Sequence, residues 1–285
     1  MTQLISEIQG FTKAIRIPHL LGIVVVQFLT ALYIIKVPQE MLLNLEFILL
    51  TSSIVMLAAA GYIINDYFDQ KIDLINRPDR VVVGIHLRRR RALIAHMGLS
   101  ILAVMIGLWI DLWLGLLNFF ASFMLWLHSS YFRRILLLGN ILVGLMHVMI
   151  ILVVAVYFQI YNIYLLAYCL FTFLVIFIRE VVKDLRGIKG DAIHGAKTIS
   201  VIWGIRTAKK LIYTSLVCAI ILMTYFLEGS LNADSGIYFF VFLPILGWFI
   251  FRLRSADTQL HYRSLKKSID WIILFGILSI FLLHE

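Results

Sequence analysis

Nine stretches of this 285-residue chain are apolar for long enough to cross a lipid bilayer: roughly 17–35, 45–64, 92–110, 112–129, 135–157, 160–179, 211–227, 236–252 and 268–283. Runs of about 17–25 such residues are candidates for spanning helices. The third and fourth runs are nearly continuous, broken only around Asp111, so eight or nine crossings are expected. The expected fold is therefore an all-α polytopic membrane protein, read as nine transmembrane helices in a single domain, 1–285. Composition agrees, since 62% of residues are hydrophobic and only 14% charged, where soluble domains carry about 25%.

Basic residues retained in short loops mark the cytoplasmic side. Lys13 and Arg16 precede the first run. Lys71, Arg77, Arg80 and Arg88 to Arg91 fill the second loop, and Arg133 and Arg134 the fourth. Seven more, from Lys183 to Lys210, lie in the sixth loop, and Arg252 to Lys267 in the eighth. Alternate loops hold almost none. Nine crossings then give a cytoplasmic amino terminus and an external carboxyl terminus. The net charge of +9 is read as orientation, not as nucleic-acid binding. No cleavable signal peptide is expected. Cys169 and Cys218 fall within spans and read as reduced packing residues.

Directly after the second run comes "NDYFDQKID", residues 65–73. Offsets of three and seven place Asp66, Asp69 and Asp73 on one face of a helix. Three carboxylates in a row repel one another, so positive charge is expected among them. The sixth loop opens "REVVKDLRGIKGDAIHGAKT". Laid over Asn65–Asp73, its stretch Lys183–Asp191 puts Asp184 on Asp66, Asp191 on Asp73 and Gly187 on Asp69. Four spans separate the two stretches, which suggests a pseudo-repeat with motif loops at 65–91 and 183–210. Mg²⁺ suits such carboxylates, because it takes oxygen ligands and usually shares them with phosphates. Arg77, Arg80, Lys183, Arg186 and Lys197 can hold the phosphate oxygens. A diphosphate between acids and bases gives every charge a partner. Mg²⁺ would neutralise a diphosphate leaving group, and aromatic faces can stabilise an allylic cation. That chemistry is a prenyl transfer.

"NDYFDQKIDLINRPDR" resembles the first aspartate-rich motif of the UbiA family of membrane prenyltransferases, and "KDLRGIKGD…GAKT" is similar to its second. The resemblance implies nine transmembrane helices around a central cavity, with both motifs facing the cytoplasm. It implies metal binding by Asp66, Asp69, Asp73, Asp184 and Asp191, with Asp66, Asp69, Asp184 and Asp191 catalytic. Substrate binding falls to Asn65, Arg77, Arg134, Lys183 and Lys197. The implied cofactor is Mg²⁺, and the implied partners are a prenyl diphosphate, a lipophilic acceptor and membrane lipid. No nucleic acid or obligate protein partner is implied. A prokaryotic inner membrane is the expected location. Gly187 stands where the second motif commonly has an aspartate, and Lys189 where an acidic residue is frequent. After "NRPDR" the chain reads "VVVGIHLRRRR", where many relatives carry prolines. The pattern looks most like the branch making archaeal-type ether lipids, with geranylgeranylglycerol phosphate as acceptor. An aromatic quinone precursor or haem is the alternative acceptor.

Two readings of other classes stay open: an ion-coupled transporter, and a lipid-binding scaffold without chemistry. Clustering of the acids at one edge weighs against transport, whereas Gly187 favours the scaffold. Lys13, Arg16, Arg88 to Arg91 and Arg252 to Lys267 read as interfacial anchors. His147 is expected to be a neutral, hydrogen-bonded histidine inside its span, and His96 and His128 to be interfacial. Arg179 and Glu180 are expected to pair locally, and Gly187 and Gly190 to break or kink the second motif.

Overall fold

The computed structural model describes residues 2–76, 78–228, 233–278 and 280–281. Its elements are all helical, apart from one isolated backbone bridge between Val83 and Leu87. Among the described residues, six helices are long and apolar enough to cross a membrane. The chain is an integral membrane protein. The remaining three expected spans fall on the helices Gly204–Glu228, Ala233–Arg254 and Gln259–Leu278; side chains of the first two lie partly outside the described residues, and the third carries Arg263, Lys266, Lys267 and Asp270. The helices form two compact units, residues 1–28 with 37–133, and residues 29–36 with 134–285.

In the first unit, α1 (Thr2–Ile15) ends at Arg16, whose φ of 55° reverses the backbone hand. The next helix, α2 (Ile17–Leu29), restarts with Pro18 in its first turn, where the missing N–H has no helical partner to lose. Three long helices follow: α3 (Leu45–Asn76), α4 (Arg89–Ile110) and α5 (Leu112–Ser130). Asp111 separates the last two. Its backbone is extended, and its carboxylate accepts from the amides of Trp113 at 2.7 Å and Leu114 at 3.3 Å. That is an N-cap, and it turns one apolar stretch into a hairpin. A Cβ on Gly107 would stand 3.0 Å from the Gly115 backbone, so the hairpin closes only on glycine. Asn118, fully buried, donates to the Ser53 hydroxyl at 3.1 Å and the Ala103 carbonyl at 2.9 Å, joining α5 to α3 and α4.

The 32 residues of α3 extend about 48 Å, whereas the hydrocarbon layer is about 30 Å thick. Its last three turns therefore stand beyond the apolar zone. The "NDYFDQKID" stretch lies there, as a continuation of the helix.

The second unit holds α6 (Leu138–Phe158), α7 (Ile163–Ile193), the short α8 (Ile199–Ile202), α9 (Gly204–Glu228), α10 (Ala233–Arg254) and α11 (Gln259–Leu278). Asn162 begins α7 by accepting from the Leu165 amide at 2.8 Å, and it donates to the Ile34 carbonyl at 2.6 Å. The core gathers Ile178, Val182, Leu185, Ile212, Phe249 and Leu265. A Cβ on Gly144 would approach the Phe173 ring to 2.8 Å, so α6 and α7 meet closely there. The 31 residues of α7 repeat the geometry of α3, with the second motif on the overhang. Gly187 and Gly190 were expected to break it; both are buried, and the helix runs through them to Ile193. Tertiary packing outweighs their cost of about 1 kcal/mol each.

Candidate functional site

The polar residues of the first motif are ordered by helix spacing. Asn65 lies one turn before Asp69 and donates to its carboxylate at 2.7 Å. Asp69 is only 4% exposed and forms an ion pair with Arg133. Asp66 accepts from the Arg16 guanidinium at 2.5 Å, and that guanidinium lies 4.8 Å from the Tyr62 ring centroid, one helical turn earlier. Asp73 is half-buried two turns on. The positive charge expected among the three aspartates is thus present, as two guanidinium groups.

Both guanidinium groups have partners that the sequence pattern does not reveal. Arg16 was read as an interfacial anchor, yet the left-handed break after α1 presents it to Asp66. The pair Arg133 and Arg134 together reads as a basic position approaching the phosphates, with substrate binding assigned to Arg134. Its side chain is exposed, and its carbonyl accepts from the Lys197 amide at 3.0 Å, whereas Arg133 holds Asp69. Three of the four consecutive arginines are also more than anchors. Arg88 and Arg91 pair with Glu7 of α1, itself 7% exposed. Arg89 stacks over Tyr67 at 4.3 Å and donates to Gln70 at 3.0 Å. Gly84, with φ 91°, lets the loop press on that same Gln70; a Cβ there would fall 2.0 Å from its amide nitrogen. Ala14, Ile63, Val83, Leu87 and Ala92 form the apolar floor under this assembly. Arg77 and the Arg80 side chain lie outside the described residues.

In the second unit, Asp184 accepts from Asn140 of α6 at 2.8 Å, and its carbonyl accepts from the Ser200 hydroxyl at 3.1 Å. Asp191 is 6% exposed, and its carbonyl accepts from the Ala196 amide at 2.9 Å. Lys183 donates to Glu180 at 2.7 Å; Lys197 is exposed. Arg179 and Glu180 pair as expected, at 3.0 Å. Asn140 was not foreseen, although a single amide near the start of an apolar run is a visible signal. His147 bonds the carbonyl of Val143 on its own helix at 2.8 Å. His96, expected at the interface, is instead buried against the Ala60 carbonyl at 3.1 Å, and His128 is buried too.

Among the described residues, no three His, Cys, Asp or Glu side chains converge as a metal-binding group. The donor chemistry nevertheless fits Mg²⁺. The motif side chains offer carboxylate and amide oxygens, which a hard cation prefers. Arg16 and Arg133 show that the first pair of carboxylates accepts positive charge in place.

Carboxylates interleaved with arginines and lysines, on helices longer than the hydrocarbon layer is thick, mark a polytopic membrane protein with its polar residues gathered at helix ends. The UbiA prenyltransferase family model matches residues 23–279, and the chain belongs to that family. It is 30% identical over 211 residues to a digeranylgeranylglyceryl phosphate synthase of Methanothermobacter thermautotrophicus, covering 70% of each chain. The corresponding Methanobrevibacter smithii protein is 30% identical over 170 residues, 56% of this chain and 59% of that one. Among solved structures, one reported for digeranylgeranylglyceryl phosphate synthase in membranes superposes with a TM-score of 0.70 at 19% identity, over 98% of both chains. A UbiA homologue from Archaeoglobus fulgidus bound to DMAPP and Mg²⁺ gives 0.67 at 15% identity, over 95% of this chain and 99% of that one. These likenesses show the fold.

Proposed function

We propose that the protein is a Mg²⁺-dependent intramembrane prenyltransferase, moving a polyprenyl group from its diphosphate to a lipophilic acceptor. The observation that carries this reading is the first motif itself: carboxylates on one face of α3, beyond the apolar zone, with Arg16 and Arg133 seated on them. Interfacial anchors are mostly basic or aromatic, whereas these are three carboxylates on one face of the helix.

The residues have separable tasks. Asp66, Asp69 and Asp73 in the first unit, and Asp184 and Asp191 in the second, would each serve as metal ligands; Asn65 and Asn140 orient Asp69 and Asp184 by donating to them. Bound Mg²⁺ would neutralise the charge developing on the diphosphate as the allylic C–O bond breaks. Arg16, Arg133, Lys183 and Lys197, with Arg77 and Arg134, would bind phosphate oxygens, the arginines by paired hydrogen bonds. The departing diphosphate leaves an allylic cation, which the acceptor oxygen attacks with loss of its proton. Geranylgeranylglycerol phosphate is the proposed acceptor, supported by the relatives named for that lipid's product. The chain is proposed to cross nine times as a single functional domain in a prokaryotic inner membrane, its amino terminus and motif stretches cytoplasmic.

The test is an assay in membranes with radiolabelled geranylgeranyl diphosphate, Mg²⁺ and several acceptors in parallel. Transfer to geranylgeranylglycerol phosphate, lost in Asp66→Ala and Asp184→Ala, is expected. Transfer only to a phenolic acceptor would keep the chemistry and overturn the acceptor. Absence of diphosphate release with every acceptor would overturn the enzyme reading and point to Gly187.

A further inference from the structure

A chain of alternating charges runs through the second unit behind Asp184. Lys266 donates to Asp270 at 2.9 Å, and the other Asp270 oxygen accepts from Arg179 Nε at 3.0 Å. A second nitrogen of Arg179 donates to Glu180 at 3.0 Å, and the remaining Glu180 oxygen accepts from Lys183 at 2.7 Å. Five side chains on two helices, α7 and α11, are thus linked in a fixed order. We propose that Glu180 and Asp270 are positioning residues, which act through Arg179 to hold the Lys183 ammonium where it meets the substrate diphosphate. This rests on the prenyltransferase reading above.

Three observations support it. Asp270 lies near the start of the last apolar stretch, 268–283, with its side chain 39% exposed, and both its oxygens are engaged. It has two cationic partners. Glu180 is 5% exposed and divides its two oxygens between an arginine and a lysine, so neither cation can shift without disturbing the other. Lys183, by contrast, has a flexible four-carbon stem that no rigid fork orients. A lysine that must present its charge at one point needs such a neighbour, and Glu180 is one turn away. The three cations exceed the two carboxylates by one charge, and the end of the chain next to Asp184 is positive. Asp270 is 91 residues from Arg179, which is why neither motif reveals it.

Removing the Asp270 charge leaves Arg179 with Glu180 as its carboxylate, and the stronger pull on Glu180 loosens its hold on Lys183. Displacement of a binding group by about an ångström can cost up to about 100-fold. The test measures binding of Mg²⁺ with geranylgeranyl diphosphate by calorimetry, and steady-state kinetics, on the full-length protein. Asp270→Asn should weaken binding and raise KM about tenfold while changing kcat less, with Asp270→Glu restoring both. In a Lys183→Ala background, Asp270→Asn should add nothing, because its effect passes through Lys183. Effects that multiply in the double variant, or unchanged binding in Asp270→Asn, would overturn the positioning role while leaving the enzyme reading intact. Should Asp270→Asn misfold, Glu180→Gln is read by the same comparison. No binding by the wild-type protein would overturn both readings.

Discussion

At the scale of single residues, the first motif is organised by partners that differ in kind from the aspartates themselves. Arg16 combines an ion pair to Asp66 with stacking near Tyr62, and its planar fork suits both carboxylate and phosphate. Arg16→Gln is expected to leave a folded protein whose KM for prenyl diphosphate rises about tenfold, equivalent to about 1.4 kcal/mol. Arg16→Lys should recover only part of this, and steady-state kinetics in membranes measures both. Asn140→Leu removes the donor to Asp184. Leaving a buried polar group without its partner costs about 1–3 kcal/mol, so both the melting temperature and transfer activity should fall. The aspartates were legible because carboxylates at the edge of an apolar run contradict its composition. Arg16 and Arg133 were not, because arginine at a helix end is what membrane orientation alone supplies. Their distinguishing contacts join residues 50 and 64 positions apart, at Asp66 and Asp69, and exist only once α1, α3 and the end of α5 have packed.

At the scale of elements, a few small devices divide an almost uniformly apolar chain. Asp111 caps α5 and breaks the third and fourth runs apart. Asp111→Ala is expected to lower stability by about 1 kcal/mol without touching the motif residues, so denaturation shifts while specific activity stays. Gly107→Val, which would drive a branched side chain into the Gly115 backbone, should damage the hairpin far more. The Asp111 break was visible as a charge between two apolar runs. The α1–α2 break was not, since Arg16 is no usual left-handed residue and tertiary contact holds it there. The second motif was expected to kink at Gly187 and Gly190, but the buried face of α7 keeps those residues helical. Propensity is local, and packing decided the outcome.

At the scale of the whole molecule, the proposed reading makes activity conditional on a divalent cation. Treatment with EDTA should abolish prenyl transfer, and added Mg²⁺ should restore it. Ca²⁺, which favours longer bonds and higher coordination, should restore it poorly; product formation in membranes checks all three. The length of α3 and α7 carries a broader consequence. Each helix is longer than the hydrocarbon layer is thick, so one rigid rod would pass from the apolar zone to beyond it. A reaction carried out at such a boundary can draw its metal ion and anionic head from the aqueous phase and its hydrocarbon from the membrane, without moving either fully into the other. On the proposed reading the protein would work as a phase-transfer catalyst whose two phases are joined by a single backbone. Shortening either overhang by one turn would draw the charged end of that helix toward the hydrocarbon, where charge is least tolerated.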